Sequence, residues 1–226
     1  MKTLRIKKQY EEIANAFSNA HEDQNWVNRA VLYEVLSKDI RNKKILDLGC
    51  GDGKDMNYYS KLGAVVYGID MSLEFIKMAK INNPSFSENI KLSDFEKVKF
   101  PDESFDLVVS KYAIQTSKNI DKVFSEAHRL LKEDGYFILL VTHPLRQYTE
   151  RRGKNKNYFK TKIVDSVLFN GSLTVKEPTH TFYEYFSPEI LSRFNLELFD
   201  ERYDPAAEKI DGDTYPGFMV MKFKKH

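Results

Sequence analysis

The chain has 226 residues, with 35 Lys or Arg against 33 Asp or Glu, so its formal net charge at pH 7 is +2. Apolar residues make up 42% and charged residues 30%, which is typical of one globular domain with a moderate insertion, and the balanced charge argues against a dedicated nucleic-acid binder. Because Cys50 is the single cysteine, an internal disulfide framework and a cysteine-based structural zinc site are excluded, and we predict no metal site.

Two amphipathic helices are predicted at the N-terminus. The first covers residues 3–17, where Tyr10 and Phe17 belong to an apolar stripe at helical spacing. A polar break, SNAHEDQN, follows it, and a second helix is expected from Trp26 to about Ile40. We interpret residues 1–43 as a helical lid that precedes the domain of residues 44–226.

Strands and helices alternate over the next hundred residues. This rhythm predicts βαβ units in a parallel sheet with helices on both faces. The expected strands are 44–48, 65–69, 90–92, 105–109 and 136–141, and the expected helices are 55–62, 72–81 and 119–132, the last ending at Asp134-Gly135. Strands at 196–199 and 218–223, with a short helix at 188–194 before them, complete an α/β, Rossmann-like, seven-stranded and mostly parallel sheet whose last strand is antiparallel.

The rhythm breaks at residues 145–186, which we interpret as an insertion that caps the ligand edge of the sheet. Asn170-Gly171 lies between two β-rich runs, 163–169 and 172–175, and predicts a hairpin. The start of the insertion, 146–162, is strongly basic and reads either as a solvated loop or as a contact for an anionic partner.

The segment ILDLGCGDG at 45–53 carries the chemistry. A buried strand leads into glycines at alternate positions and then into a helix, so the backbone can turn tightly and approach a ligand. Asp70 ends the next strand, where an acid can accept both hydroxyls of a ribose. Asp94 closes the third strand with Phe95 beside it, a pair suited to an adenine amino group and ring.

Two cofactor classes compete for this pattern. A nicotinamide site favours G-x-G-x-x-G, but the sixth position counted from Gly49 is Lys54, and the motif here is G-x-G-x-G after the strand acid Asp47. With YGIDMS at 67–72, SFDLVVSKYAIQ at 104–115 and EAHRLLKEDGYFILL at 126–140, the sequence resembles the class I S-adenosylmethionine-dependent methyltransferases, specifically their small-molecule, type 11 branch. The turn Glu133-Asp134-Gly135 departs from the usual Pro-Gly-Gly.

The resemblance implies S-adenosyl-L-methionine as cofactor and S-adenosyl-L-homocysteine as product. It implies that Asp70 holds the ribose, that Gly53 permits helix packing and that Ser110 reaches the cofactor through its backbone carbonyl. The implied residues of the methionine end are Asp47, Gly49, Cys50 and Gly51, and those of the adenine end are Met71, Asp94 and Phe95. Tyr10 would lie in a helix that folds over the cofactor, and Tyr112 or Gln115 would face the acceptor.

The acceptor side is less determined by the sequence. His143 follows the fifth strand and His180 ends the insertion, so both are candidate bases. Tyr183 belongs to an aromatic run at 182–186 that lines either an acceptor pocket or the core of the insertion. Cys50 reads as a packing residue rather than a nucleophile.

We therefore expect transfer of a methyl group to an O or N atom of a small molecule. The alternatives are an RNA or protein methyltransferase that uses the basic 146–162 segment, and a cofactor-binding module without catalysis. The longest apolar run, Tyr136 to Val141, is too short to span a bilayer, and the charged N-terminus lacks a signal peptide, so the expected protein is cytoplasmic, makes no membrane contact and is a monomer or homodimer.

Overall fold

One seven-stranded sheet organises the chain. The computed structural model describes residues 2–24, 26–36, 40–149, 157–160, 163–169, 172–203 and 214–226. Its helices are α1 (Lys2–Gln24), α2 (Trp26–Val35), α3 (Lys54–Lys61), α4 (Leu73–Asn82), α5 (Ile120–Leu130), α6 (Pro144–Thr149), α7 (Phe182–Tyr185) and α8 (Pro188–Leu191). Its strands are β1 (Lys44–Leu48), β2 (Val65–Asp70), β3 (Ile90–Leu92), β4 (Phe105–Lys111), β5 (Leu131–Thr142), β6 (Ile163–Leu168), β7 (Leu173–Pro178), β8 (Phe194–Tyr203) and β9 (Pro216–Lys225).

The strand order of the sheet is β3-β2-β1-β4-β5-β9-β8. The pairs from β3 to β5 are parallel, whereas β9 runs antiparallel to both β5 and β8. The predicted fold class is thereby confirmed, including the antiparallel last strand. Parallel strands bring the carboxyl ends of β1, β2, β3 and β4 to one edge of the sheet, where ligands of such folds bind.

Hydrophobic clusters cover both faces of the sheet, and β5 contributes to each by alternation. Phe137 and Leu139 belong to the cluster that also contains Phe124 of α5. Ile138 and Leu140 belong to the opposite cluster, with Leu32 of α2. Because successive strand residues point to opposite faces, an unbroken apolar strand indicates a sheet covered by helices on both sides.

The first helix is longer than predicted, because the expected polar break is helical as far as Gln24. The break contains Ala, Glu and Gln, which are good helix formers, and its first residue, Ser18, is held by a hydrogen bond to Asp52. The second helix ends at Val35 rather than near Ile40. Division of the chain at residue 43 stays a prediction.

The transition from α5 to β5 also comes earlier than the sequence predicted, which was a helix to residue 132 and a strand from residue 136. The helix ends at Leu130, and Leu131 already pairs with Phe105 of β4. A register shift between Phe105 and Leu107 and the positive φ of Asp134 (59°) show an irregular strand where a turn was expected. Leu131 and Tyr136 both pair with β4, so Asp134-Gly135 forms an irregularity between two paired segments of one longer strand.

The insertion contains the expected hairpin and two helices that were missed. Strands β6 and β7 pair antiparallel from Ile163↔Pro178 to Leu168↔Leu173, around the predicted turn. Asn170-Gly171 itself lies outside the described residues, as do 150–156 and 161–162 of the basic segment. The missed helices are α6 and α7, and the predicted helix at 188–194 ends at Leu191. No helix of the described ranges is long and apolar enough to cross a membrane.

Candidate functional site

The loop after β1 carries three left-handed glycines, Gly49, Gly51 and Gly53, and the last two lie in different surroundings. At Gly53 (φ 77°) an added Cβ would lie 2.5 Å from Asn83 Nδ2 and 3.0 Å from Ala79 Cβ, so this glycine lets α3 pack on α4. At Gly51 (φ 54°) an added Cβ would meet no atom of the described residues within 4 Å. Gly51 therefore borders open space at the ligand edge of the sheet.

The residues before Gly51 hold the loop against β2. The backbone N–H groups of Gly49 and Cys50 both donate to the Ile69 carbonyl, at 2.8 and 2.9 Å. The Cys50 side chain is buried, and burial, with the nearby carboxylates of Asp70 and Asp47, raises the pKa of its thiol well above the usual value. A thiol that stays protonated is a poor nucleophile, so Cys50 packs in the loop.

The carboxylate of Asp70 ties the glycine loop to the start of α4. Its Oδ2 accepts the Gly51 N–H at 3.0 Å, and its Oδ1 accepts the Ser72 N–H at 2.8 Å. Burial raises the Asp70 pKa to about 6, although both backbone hydrogen bonds oppose that shift. Each carboxylate oxygen keeps a further lone pair, so the predicted ribose contact is compatible with the bonds already made.

A buried charged cluster, which sequence reasoning missed, lies behind the loop. Asp55 is bound by Lys111 Nζ at 2.6 Å, Arg29 Nε at 2.7 Å and the Tyr33 hydroxyl at 2.7 Å. Burial favours a neutral Asp55, but the two cations hold its pKa below the usual range. The neighbouring Asp47 has a pKa well above the usual value because it is buried and because Asp55 is close.

The predicted adenine residues meet at one cleft. Asp94 is exposed there, and its Oδ1 accepts the Glu96 N–H at 2.9 Å, as a strand-end turn acid does. Phe95 is buried and belongs to the core on the α5 side. Met71, Asp94 and Phe95 share the cleft with four residues that were not predicted, which are Glu96, Thr116, Ser117 and Lys118.

Two predicted residues near the end of β4 have packing roles. The buried Ser110 donates its hydroxyl to the Leu48 carbonyl at 2.8 Å, which fastens β4 to the start of the glycine loop. Tyr112 has a left-handed backbone (φ 52°), and its ring packs against the core on the α2 side. The expected contact of Tyr112 with the acceptor stays a prediction.

His143 differs from its predicted role as a base. Its side chain is fully buried, Nδ1 accepts the Leu145 N–H at 3.1 Å, and Nε2 lies 2.6 Å from Glu201 Oε1. An accepting Nδ1 leaves the proton on Nε2, which donates to Glu201. Burial lowers the His143 pKa against the opposing effect of Glu201. Because both ring nitrogens are engaged, His143 fastens β5 to β8 and has no nitrogen left to take a proton from an acceptor.

The structure brings His180 and Gln115 together. Nε2 of His180 donates to the Gln115 carbonyl at 2.8 Å, so Nδ1 is the unprotonated nitrogen of the neutral ring. That Nδ1 lies 3.4 Å from Glu184 Oε2, an electrostatic contact without hydrogen-bond geometry. The Gln115 side chain is buried and donates to Thr142 Oγ1 at 3.1 Å.

Helix α1 lies on the ligand edge and touches each side of it. Gln9 exchanges hydrogen bonds with the backbone of Lys176 in β7, and Glu11 accepts the N–H groups of Leu73 and Glu74 at the start of α4. Ser18 donates to Asp52 Oδ2 at 2.5 Å. Sequence reasoning missed these residues because polar side chains on an amphipathic helix are expected to face water.

Tyr10 is half-buried within this helix and its ring lies edge-on to Phe17 at 6.3 Å. Burial, followed by the carboxylates of Glu177 and Asp70, raises the pKa of the Tyr10 hydroxyl above its usual range. Tyr10 is therefore within electrostatic reach of both the predicted ribose acid, Asp70, and Glu177 of the insertion.

The insertion presents a buried polar network to this edge. The Glu177 carboxylate accepts the Ser166 hydroxyl at 2.6 Å and Gln147 Nε2 at 3.3 Å, and Gln147 Oε1 accepts the His180 N–H at 3.0 Å. Tyr185 of the aromatic run is buried in the core, whereas the predicted substrate residue Tyr183 is exposed on the outer surface. In the described part of the chain, no group of three or more His, Cys, Asp or Glu side chains is placed to hold a metal ion.

Comparison with known proteins identifies similar sequences and a matching family model. Residues 46–139 match the family model described as a methyltransferase domain. The malonyl-[acyl-carrier protein] O-methyltransferase of Hamiltonella defensa is 31% identical over 131 residues, which are 56% of this chain and 50% of that protein. The sterol 4-C-methyltransferase strm-1 of Caenorhabditis elegans is 28% identical over 185 residues, 80% of this chain and 54% of that protein. The chain thus spans about half the length of the curated relatives it matches.

The fold recurs among solved structures. An S-adenosylmethionine dependent methyltransferase from Mesorhizobium loti superposes with a TM-score of 0.72 at 21% identity, covering 89% of this chain and 97% of that one. At this identity the likeness establishes the fold, which matches the strand order described above.

Proposed function

Because this chain belongs to the class I S-adenosylmethionine-dependent methyltransferases, in their type 11 branch, we propose that it transfers a methyl group from S-adenosyl-L-methionine to an O or N atom of a small-molecule acceptor. Among the curated relatives, O-methyltransferases and a sterol 4-C-methyltransferase both occur, so the family alone leaves the acceptor atom open.

The residues at the sheet edge fit the cofactor. Gly51 borders open space where no side chain intrudes, and the Asp70 carboxylate lies next to it at the end of β2. We assign the methionine end to Asp47, Gly49, Cys50 and Gly51, the ribose to Asp70, and the adenine to Met71, Asp94 and Phe95. Ser110 contributes through its backbone, and Tyr10 covers the site from α1.

Bound S-adenosylmethionine supplies an activated methyl group on a sulfonium that is itself the leaving group. The chain then has to hold the acceptor in line, at roughly 3–3.5 Å from the carbon it attacks, and to keep water out. Helix α1 and the insertion are the elements placed for that exclusion, since both lie over the carboxyl edge of the sheet.

The observation that carries the small-molecule assignment is the pairing of Gln9 with Lys176. Lys176 N–H donates to Gln9 Oε1 at 2.7 Å, and Gln9 Nε2 donates to the Lys176 carbonyl at 3.3 Å. Helix α1 and the hairpin of the insertion therefore meet over the site. A site covered by these two elements suits a small acceptor better than an RNA or a protein chain, which needs an open groove.

A base is required only if the acceptor loses a proton during transfer. Of the two histidines considered, His180 is the better candidate, because its Nδ1 carries a lone pair and makes no hydrogen bond within the described residues. Gln115 orients the ring through its carbonyl, and Glu184 stabilises the charged ring electrostatically if it forms.

Turnover of the full chain tests the proposal. We expect S-adenosylhomocysteine to form with at least one member of a panel of small phenols, carboxylates and amines, and calorimetry to show binding of S-adenosylmethionine but not of NAD. If only RNA or a protein is methylated, the acceptor is a macromolecule and the small-molecule assignment is wrong. Cofactor binding without turnover on any acceptor class would reduce the chain to a binding module.

A further inference from the structure

His180 lies between two elements of the insertion rather than within one. Strand β7 ends at Pro178, before it, and helix α7 begins at Phe182, after it. The residue is buried all the same. A buried backbone N–H needs a hydrogen-bond acceptor, and outside a strand or a helix a side chain or water has to supply it. The group that accepts the His180 N–H therefore helps to place the whole residue.

Gln147 of α6 supplies that acceptor. Its Oε1 accepts the His180 N–H at 3.0 Å, and its Nε2 donates to the Pro178 carbonyl at 3.2 Å. The Gln147 side chain is itself buried. Because one amide binds the backbone on both sides of Thr179, it fixes the segment from which the His180 ring projects.

The His180 ring is held at a second point. Its Nε2 donates to the Gln115 carbonyl at 2.8 Å, and the Gln115 side chain donates to Thr142 Oγ1 at 3.1 Å. Thr142 is the last residue of β5, and α6, which carries Gln147, begins at Pro144. Both points thus lead back to the carboxyl end of β5. A histidine that is held at its backbone and at Nε2 has a fixed direction for Nδ1.

We propose that Gln147 is a positioning residue for methyl transfer, which holds Nδ1 of His180 in the orientation that takes a proton from the acceptor. This inference rests on the proposed role of His180 as the base. The proton moves from the acceptor atom to Nδ1, while the electron pair of that atom bonds the methyl carbon and the carbon–sulfur pair stays on sulfur. A displacement of about 1 Å in a reacting group can cost about 10²-fold in rate, so the anchor of the backbone matters to the reaction.

A purely structural role of Gln147 predicts a different result, and Ser166 provides the matched control. Gln147 Nε2 also donates to Glu177 Oε1 at 3.3 Å, and the Ser166 hydroxyl donates to the same oxygen at 2.6 Å. Ser166→Ala therefore removes a buried hydrogen bond from this network but leaves the acceptor of the His180 N–H in place. Gln147→Met removes the amide at nearly the same side-chain length. Gln147→Asn, which withdraws the amide by one methylene, should behave in the same way and serves if Gln147→Met does not fold.

NMR of the full chain, with ¹⁵N in its five histidines, tests the positioning without any acceptor. His180→Gln assigns the His180 signals. At about pH 8, where an ordinary histidine is neutral, the wild-type chain and Ser166→Ala should show His180 with its proton on Nε2 alone. Gln147→Met should show signals averaged between the two neutral ring forms. A fixed Nε2–H form in Gln147→Met overturns the proposal, and a doubly protonated His180 in the wild-type chain overturns the base assignment as well.

Turnover separates this inference from the proposed function. With a protic acceptor from the panel, and at a temperature where melting shows every variant folded, Gln147→Met should lower kcat by about 10–10²-fold and leave the Kd of S-adenosylmethionine within about twofold. Ser166→Ala should keep its kcat. If His180→Gln keeps its kcat, the base assignment fails. If His180→Gln loses kcat but Gln147→Met does not, or if Ser166→Ala loses as much as Gln147→Met, the positioning role alone fails.

Discussion

Gln9 and Lys176 are separated by 167 residues in the chain, yet the Gln9 amide pairs with the Lys176 backbone as a neighbouring strand would. The amide oxygen accepts the Lys176 N–H, and the amide nitrogen donates to the Lys176 carbonyl. A side chain thereby satisfies edge groups of β7 that would otherwise need water or another strand. This contact joins the N-terminal helix to the insertion, and the edge-on packing of Phe17 against Phe169 at 5.1 Å joins them a second time.

Gln9→Ala should loosen helix α1. Two hydrogen bonds are lost, each worth about 0.5–1.5 kcal/mol, so amide exchange in residues 8–20 should quicken and cofactor affinity should fall several-fold. Hydrogen exchange of the wild-type chain, with and without S-adenosylmethionine, measures whether the helix is a mobile lid, in which case protection rises on binding.

The control on the same helix is Glu12→Gln, since Glu12 is exposed and pairs only with Lys8 among the described residues. Equally strong protection of α1 with and without cofactor would show a permanently packed helix. The lid hypothesis would then be wrong.

The affinity for S-adenosylmethionine should rise with pH through about 6. Burial raises the Asp70 pKa to about 6, and only the ionised carboxylate offers acceptors to both ribose hydroxyls. Stability without cofactor should change in the opposite sense, because a folded-state pKa above the usual aspartate value, about 3.9, makes the native state bind more protons. Between about pH 4 and 6 the free energy of unfolding should fall by roughly 2–3 kcal/mol.

Asp70→Asn should weaken binding and remove this pH dependence. The variant also distinguishes the effect of Asp70 on the pH profile from that of Asp47, whose pKa is likewise raised by burial. Asp121→Asn is the control, because Asp121 lies on α5 in an exposed ion pair with Arg193. This variant should retain the pH dependence of cofactor binding. Calorimetry at several pH values measures both, and an unaltered pH profile in Asp70→Asn would contradict the ribose assignment.

Alanine at Gly51 and at Gly53 should have different consequences. Gly53→Ala brings a Cβ within 2.5 Å of Asn83 Nδ2 in a left-handed backbone, so thermal stability should fall by about 2–4 kcal/mol. Gly51→Ala meets no described neighbour within 4 Å, so stability should fall by only about 1–2 kcal/mol from the backbone term while cofactor affinity falls steeply. Thermal melting measures the stability of both variants, and calorimetry measures their affinity for the cofactor. An equal loss of cofactor affinity in Gly51→Ala and Gly53→Ala would place Gly51 outside the ligand site.

His143→Gln and His180→Gln form a second matched pair. His143→Gln breaks the contact between β5 and Glu201, so the variant should melt earlier but keep its kcat once folded. His180→Gln should lower kcat on a protic acceptor by about 10²–10⁴ if the ring is the base. A loss of kcat in His143→Gln at a temperature where the variant is fully folded would show that His143 takes part in catalysis.

Much of the fold was determined by local features of the sequence. The glycines at 49, 51 and 53 and the acids at 70 and 94 each end or follow a strand, and a strand end can be located from apolar periodicity and turn residues alone. Parallel strands then share one edge by topology, so the ligand edge follows without coordinates, and the cofactor class is implied by the resemblance of these motifs to the methyltransferase family. The sequence failed where pairing with a distant strand decided the outcome, as at Leu131, which joins β5 through Phe105 although its own neighbours favour helix.

Only the tertiary structure decided the roles on the acceptor side. His143 and His180 are equivalent by sequence, since each is an imidazole near an end of the predicted elements on the ligand side. Glu201, supplied by β8, occupies one ring nitrogen of His143, whereas the Gln115 carbonyl leaves Nδ1 of His180 with its lone pair. Which partner reaches a histidine depends on how distant segments pack, and such packing depends on many weak contacts that no short window of sequence contains.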